Sequence, residues 1–567
     1  MAPWSPKSTS PYQVWQEIRH WTFGYRRNEG GEWVLADDRY PPVALVDEDG
    51  VILYESEYSG LLHAIIQEND VFLLNQRLAK YPIKSWQAEI DMDDLFLIAA
   101  SSGSTDALRV LLEHCAARPD KKELVDARES LLLHTACQNA HIDTVRFLLD
   151  SESIFRDTYT GIGDIHTRDH YGRTAILSAA ESFPRLADRE DITRERAARS
   201  DELMQLLLDR GASARDHIDW EDEPSLVPYA SLILCGGKVS GTVLSLAMAG
   251  ASYQLVKRLV EEGADVHTKE SRYFSSRDIK SEYNAQDITP LHIGSFYSNV
   301  DGIQALLDYR GSNVNLIDIV SCRDSCGCLP LHLAARGPRE LMDSLTSDYS
   351  IPYTVATIKL LLNIIPSMIN SQNKQGETPL HYAIQSYSSY GSKHSDILNV
   401  LFENGADAGI RATNGQSPLH WLCLRLSGAE PVIDLLLAHG AKINDADLDG
   451  NTPLHLATRN LAHIDVMRLL LSRGADTGAK NSKGNTPLHE AAGGSIFSES
   501  QGRAQDEVMR VLEEAGGNVN LINQQNVAGK TPRQIRGEKR NEWQEGERKR
   551  LAEIGMGRGR GRGRPIS

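Results

Sequence analysis

Asp447-Leu-Asp-Gly-Asn-Thr-Pro-Leu-His-Leu-Ala-Thr458 is the stretch on which the reading of this chain turns. Its Thr-Pro-Leu-His core recurs at Thr289–His292, Leu329–His332 (with Leu in place of Thr), Thr378–His381, Ser417–His420, Thr452–His455 and Thr486–His489. The six prolines are spaced 40, 49, 39, 35 and 34 residues apart. A floor near 34 with longer exceptions marks one structural unit that carries insertions.

The residues around the core say what the unit is. A polar run ending in Gly precedes it, as in Asp447–Gly450, Asn481–Gly484 and Asn373–Gly376. Asp or Asn followed by Gly suits a tight turn that needs positive φ. Thr then Pro suits a helix start, because the N–H that Pro lacks has no helical partner in the first turn. A short apolar helix with small residues follows (Leu454–Ala457), then a second (Val466–Leu471) that stops at Gly474-Ala-Asp476. A glycine just past a helix end is the common left-handed stop. Each unit therefore reads turn, helix, turn, helix.

This pattern resembles the ankyrin repeat, with its period of about 33 residues and its T-P-L-H signature. The resemblance is strongest over 284–530. Divergent copies extend it forward: Thr174–Leu177 after Asp169–Gly172, Leu132–His134 before Val145–Leu149, Gly241–Leu244 leading to Gly263–Asp265, and earlier Leu61–His63 and Leu95–Ala100. About twelve units fit between Gly60 and Ile535, the last truncated. The resemblance implies an all-α ankyrin-repeat solenoid with β-turns or hairpins between units. The chain divides into a Trp-rich cap region (1–58), divergent repeats with insertions (59–283), well-matched repeats (284–536) and a disordered basic Gly/Arg-rich tail (537–567).

Extra residues near Phe183–Arg199, Gly337–Thr354, Ser386–His394 and Gly494–Gln505 fall at the turn joining the two helices of a unit. Insertions at equivalent points of a solenoid line up along one face. Two more, near Arg215–Gly237 and Lys269–Glu282, fall between units, where they are expected to loosen the stacking.

Composition narrows the function. In 567 residues, 41% are hydrophobic and 24% charged, a globular balance. A net charge of −17 argues against a chain-wide nucleic-acid or anionic-membrane surface. Seven cysteines do not make a disulfide scaffold. The first residues lack an apolar signal core, and the most apolar stretch, Ile358–Ile369, is shorter than the roughly 20 residues that span a bilayer. The expectation is an intracellular protein, nuclear or cytoplasmic.

Three segments imitate active sites. Asp445–Gly450 opens like a calcium loop, but its twelfth position is Leu456 where a bidentate Glu is required. Cys322, Cys326 and Cys328 stand near His332, yet Asp324–Gly327 is the repeat's own turn, which places Cys326 and Cys328 at surface-facing positions. Gly529-Lys-Thr531 lacks the earlier glycine of a phosphate loop, since position 524 is Gln. No G-x-S-x-G, H-E-x-x-H or kinase motif set is present. The chain reads as a non-enzyme without cofactor, metal or small-molecule substrate.

Both ends differ from the middle. Four of the eight tryptophans (Trp4, Trp15, Trp21 and Trp33) fall within the first 58 residues and suit a cap over the first unit. From Lys530 to Ser567, twelve Lys or Arg face five Glu, so this segment carries +7 and residues 1–529 carry −24. Arg558, Arg560, Arg562 and Arg564 alternate with glycine. Arg562-Gly-Arg-Pro565 resembles an AT-hook core or an RG-rich RNA-binding segment, which makes these arginines candidates for weak nucleic-acid contact.

Ankyrin-family proteins bind protein partners through the turn tips and the adjoining helix starts. By that resemblance, the partner-binding candidates are Thr413, Asn414 and Gln416, then Leu448, Asp449, Asn451, Arg459 and Asn460, then Ser482, Lys483 and Asn485. They show no obvious anionic or cationic stripe. An acidic array without a folded DNA-binding domain is similar to ankyrin-type transcription coregulators, fungal ones among them. The expected partner is then a transcription factor. The alternatives are a cytosolic adaptor for trafficking or ubiquitin ligation, and direct nucleic-acid binding by the tail.

Overall fold

A computed structural model describes residues 25–27, 33–35, 43–46, 52–56, 58–80, 92–116, 129–150, 162–169, 172–183, 190–220, 239–274, 283–309, 315–337, 347–387, 394–425, 430–459, 461, 464–495, 497–517 and 520–559. These fall into two compact units, the first ending at Trp220 and the second running on from Val239, with residues 190–193 grouped with the second.

In the first unit, two antiparallel hairpins pair β1 (Tyr25–Arg27) with β2 (Trp33–Leu35) and β3 (Val43–Val46) with β4 (Ile52–Ser56). Trp33 opens β2; Trp4, Trp15 and Trp21 lie outside the described residues. Four helix pairs follow: α1 (Tyr58–Gln67) with α2 (Val71–Lys80), α3 (Met92–Ser102) with α4 (Thr105–Ala116), α5 (Glu129–Gln138) with α6 (Ile142–Asp150), and α7 (Ala175–Ala180) with α8 (Glu190–Asp209). A further strand, β5 (His217–Trp220), closes it.

The second unit opens with β6 (Val239–Thr242) and pairs α9 (Val243–Ala247) with α10 (Tyr253–Glu261). The antiparallel hairpin of β7 (Glu270–Phe274) and β8 (Tyr283–Ile288) leads to α11 (Pro290–Phe296) and α12 (Val300–Asp308). A single turn, α13 (Leu316–Val320), precedes α14 (Pro330–Arg336) and α15 (Ser347–Ile364). Three more pairs follow: α16 (Pro379–Ser386) with α17 (His394–Glu403), α18 (Pro418–Arg425) with α19 (Glu430–Ala438), and α20 (Pro453–Arg459) with α21 (Ile464–Ser472). Last come α22 (Pro487–Ala492), α23 (Glu499–Ala515) and α24 (Pro532–Gly559).

First helices pack on first helices along the second unit, α11 to α14, α16, α18, α20, α22 and α24 in turn. Second helices stack likewise, α19 on α21 and α21 on α23. Successive repeats thus stack on one another, the arrangement of a solenoid. Leu419, Leu422, Val432, Ile433, Leu436, Leu454, Val466, Met467, Leu470 and Leu488 fill the layer between them and are fully buried. Removing such side chains from water is the main driving force, at about 25 cal/mol per Å² of apolar surface.

Three sequence expectations are corrected. Among the four insertions placed at the turn between helices, three lengthen the second helix instead. α8, α15 and α23 have 20, 18 and 17 residues, against 9 in α19 and α21. In α8 and α23 the added turns cap the short first helix. Gln505 Nε2 donates to the Ala491 and Ala492 carbonyls at 3.1 and 2.9 Å, and Arg196 Nε donates to the Ser182 carbonyl at 3.1 Å. Such carbonyls have no partner within their own helix.

The insertion at Lys269–Glu282 does not loosen the stack either. Its residues 270–274 form β7, which pairs with β8, and α10 packs on α12 across the insertion. Finally, residues 537–559 of the basic segment belong to α24, whose Arg536 and Arg540 both pair with Asp506 on α23. This stretch is dense in Glu, Lys, Arg and Gln, all good helix formers.

Candidate partner-binding surface

Each tetrapeptide histidine is a structural cross-link. In the unit of α20, Thr452 N–H donates to His455 Nδ1 at 3.1 Å, and Thr452 Oγ1 lies 2.9 Å from the same nitrogen. Since Nδ1 accepts from a backbone N–H, the proton sits on Nε2. That nitrogen then donates to Asn485 O of the next unit at 3.0 Å. The same Nε2 bond runs from His292 to Cys328 O, His332 to Glu377 O, His381 to Gln416 O, His420 to Asn451 O and His489 to Lys530 O. His134, in the divergent region, repeats it to Arg173 O at 2.8 Å. Burial disfavours the charged ring, pulling His292 and His381 down to about 4 and His332 to about 3. His420, His455 and His489 shift the same way for the same reason. These histidines are neutral hydrogen-bond links between successive units.

The turns form a second continuous link. Backbone N–H groups of Ser325, Lys374, Thr413, Leu448, Ser482 and Val527 donate to Gln286, Cys326, Gln375, Asn414, Asp449 and Lys483 carbonyls of the preceding turn, at 2.7 to 3.0 Å. Glycine makes this approach possible. A Cβ on Gly415, which has φ +80°, would stand 2.7 Å from Leu448 N. The first turn residue holds the shape: Asp447 Oδ1 accepts from Asp449 and Asn451 N–H at 3.0 and 2.8 Å, and Asn481 Oδ1 accepts from Lys483 and Asn485 N–H at 3.0 Å.

The three decoys resolve into this scaffold. Asp445 pairs with Arg411 at 2.8 Å and Asp447 closes its own turn, so these carboxylates serve the repeat. Cys328 is fully buried, contrary to the surface position expected from its place after the turn. It precedes the helix and faces inward, with its Sγ 3.1 Å from Tyr382 Oη. Asn526 Oδ1 accepts Lys530 N–H at 3.0 Å and closes the last turn.

Of the residues expected to meet a partner, Thr413, Asn414, Leu448, Asp449, Arg459, Ser482 and Lys483 are exposed, and Leu448 is 76% accessible. Gln416, Asn451 and Asn485 are half-buried and bonded to their neighbours. Gln416 Nε2 donates to Asp447 Oδ2 at 3.3 Å, Asn451 Oδ1 accepts Asn481 Nδ2 at 2.8 Å, and Asn485 Nδ2 donates to Glu490 Oε1 at 2.9 Å. Asn460, Arg560, Arg562 and Arg564 lie outside the described residues, and Arg558 falls in α24 where only the backbone is described.

The comparisons with known proteins agree with this geometry. The model for ankyrin repeats in three copies matches residues 61–158, 95–194 and 386–481, and the single ankyrin-repeat model matches 286–319. This chain is an ankyrin-repeat protein. An ankyrin repeat protein of Acanthamoeba polyphaga mimivirus is 26% identical over 226 residues, 36% of this chain and 28% of its own length. The human transient receptor potential cation channel subfamily A member 1 is 24% identical over 374 residues, 64% of this chain and 28% of its own length. A fowlpox virus ankyrin repeat protein is 34% identical over 90 residues, 16% of this chain and 19% of its own length. The chain thus spans under a third of the length of these relatives. Among the described residues, no helix of this ankyrin-repeat protein is long and apolar enough to cross a membrane.

Sequence reasoning overlooked three side chains beside the turns. Glu377 occupies the position before the tetrapeptide; Trp421 and Glu490 occupy the position just after its histidine. Glu490 Oε1 accepts from both Asn481 and Asn485, at 3.1 and 2.9 Å. Tyr382, at the equivalent position, reaches Asn373 at 3.2 Å. Residues there therefore lie under their own turn, and Trp421, half-buried and edge-on to His381 at 5.3 Å, shares that row. The signal was available as a column in the repeat register.

Proposed function

We propose that this ankyrin-repeat protein is a non-catalytic scaffold that binds a protein partner through its turn face, and that it acts in the nucleus as a transcription coregulator. Ankyrin repeats make a protein–protein interaction scaffold. The observation that carries the reading is the turn ladder from Gln286 to Val527. It holds a row of exposed side chains (Thr413, Leu448 and Ser482 among them) on rigid, mutually bonded supports. Preorganised side chains bind without a large ordering cost.

The nuclear part rests on charge. Residues 1–529 are strongly acidic, and the Gly/Arg run with Arg558, Arg560, Arg562 and Arg564 is basic and suited to phosphate contact. The array would take its sequence specificity from its partner, here a transcription factor. Direct nucleic-acid contact by the run is the second reading, and Arg548, Lys549 and Arg550, exposed on α24, extend the same basic character.

The test is the cellular position of the tagged protein with and without residues 545–567. This cut spares Arg536, Arg540 and Trp543 and so leaves the docked part of α24 in place. Nuclear full-length protein with a cytosolic truncated form supports the coregulator. Both forms in the cytosol would refute it and favour an adaptor role.

A further inference from the structure

The turn face carries a polar track that the exposed tips conceal. From Gln416 it passes through Asp447, Asn451, Asn481, Glu490 and Asn485 to Asn526, each side chain hydrogen-bonded to the next at 2.8 to 3.4 Å. One unit earlier, Asn373 Nδ2 donates to Glu377 Oε2 at 2.9 Å. Glu377, Asp447 and Glu490 thus meet side-chain amides. Among the described residues none of the three has a Lys, Arg or His within ion-pair distance. Several other carboxylates of the array do meet cations: Asp434 pairs with Arg473, Glu507 with Arg468 and Arg510, and Asp445 with Arg411.

Resting on the scaffold reading, we propose that this track, from Glu377 through Trp421 to Glu490, binds an extended peptide segment of the partner that carries lysine or arginine. Three arguments converge on that chemistry. Amide-bonded carboxylates without a cation leave a local negative potential that a cationic side chain neutralises. Trp421, half-exposed between the two glutamates in repeat order, offers an aromatic face of the kind on which guanidinium and ammonium groups settle. Finally, Asn451 and Asn485 each spend one amide N–H and one carbonyl acceptance on neighbours, so each keeps a donor and a lone pair. One such amide per unit, at the roughly 10 Å separation of packed helices, matches every third residue of an extended chain. Glu377 and Glu490 stand three units apart, a span of about 30 Å or roughly nine extended residues.

The test uses the full chain and two fluorescein-labelled dodecapeptides, one alternating Arg with Ser and one alternating Glu with Ser, read by anisotropy at 50 and 300 mM NaCl. The Arg peptide is expected to bind, weaken with salt, and outcompete the Glu peptide. Glu377→Gln with Glu490→Gln keeps the oxygen that accepts each amide bond and removes the charge. The pair should weaken the Arg peptide by at least roughly tenfold with an unchanged melting temperature, since each change removes one charge facing the peptide and keeps the amide bond. Equal affinity for both peptides, or for wild type and the double variant, overturns the proposal. So does Arg-peptide binding that appears only after residues 545–567 are removed, which would assign the track to this chain's own Gly/Arg run. Leu448→Asp at a turn tip separates the two readings. A tip variant that loses a natural partner while the Arg peptide fails leaves the scaffold standing and removes this proposal alone.

Discussion

Mild acid should unfasten the array before it protonates most of its carboxylates. His292, His332 and His381 are fully buried and held neutral, with Nδ1 accepting from the backbone and Nε2 donating to the next unit. Their folded values of about 4, 3 and 4 lie below the ordinary 6.5 of the unfolded chain. The unfolded state therefore binds protons first. The stabilisation is complete above pH 6.5 and is lost progressively as pH falls toward the folded values. At pH 5 each of the three forfeits about 2 kcal/mol, or about 6 kcal/mol together, at 1.36 kcal/mol per pH unit. The assay is urea denaturation followed by circular dichroism at 222 nm at pH 7.5, 6 and 5. Ordinary carboxylates stay charged over that window, so they do not mask the effect. A midpoint that falls steeply between pH 6.5 and 5 is expected. A midpoint unchanged at pH 5 would refute the claim that these histidines are buried neutral links.

Gly415→Ala should cost about 1–3 kcal/mol, because φ +80° and a Cβ 2.7 Å from Leu448 N act together, and urea denaturation reads it directly. Gly474→Ala, with φ +88° and nothing within 4 Å, should cost only the conformational part, about 1 kcal/mol. Ala412→Asn should gain about 0.5–2 kcal/mol, since Ala412 stands where Asp324, Asn373, Asp447 and Asn481 supply the turn acceptor, and a lowered midpoint would contradict this. Asp506→Ala removes the carboxylate that holds Arg536 and Arg540, so amide exchange over 532–543 should quicken while exchange in α20 stays the same. EDTA should leave the melting temperature unchanged, because Asp445 and Asp447 are occupied by Arg411 and by their own turn.

The repeat was legible because its signals are local and reinforce one another. Gly450 has the positive φ its turn requires, Thr289 and Thr486 sit in the extended N-cap conformation, and Pro290 and Pro487 follow them in the first turn. The long helices were less legible. Glu190–Arg199 and Arg536–Arg550 are rich in Glu, Lys and Arg with little apolar periodicity, so they look like loop or tail, although the same residues favour helix once packing anchors one end. Cys328 was misplaced because a turn neighbour is ordinarily exposed. Here the chain is already descending toward Pro330, and its side chain points inward to Tyr382. The polar track escaped notice for a related reason. Glu377, Trp421 and Glu490 lie beneath the turn tips, and only the hydrogen bonds show that Gln416, Asn451 and Asn485 belong to one network.

Site-specific photo-crosslinking in cells tests most directly that the turn face is the binding face. A photoreactive residue is placed in turn at Thr413, Leu448 and Ser482, exposed at the tips, and at Arg468 on α21 as a control away from them. The account predicts one shared partner captured from all three tips and not from Arg468. Capture that is equal at Arg468, or absent from every tip while the partner still co-purifies, would contradict it.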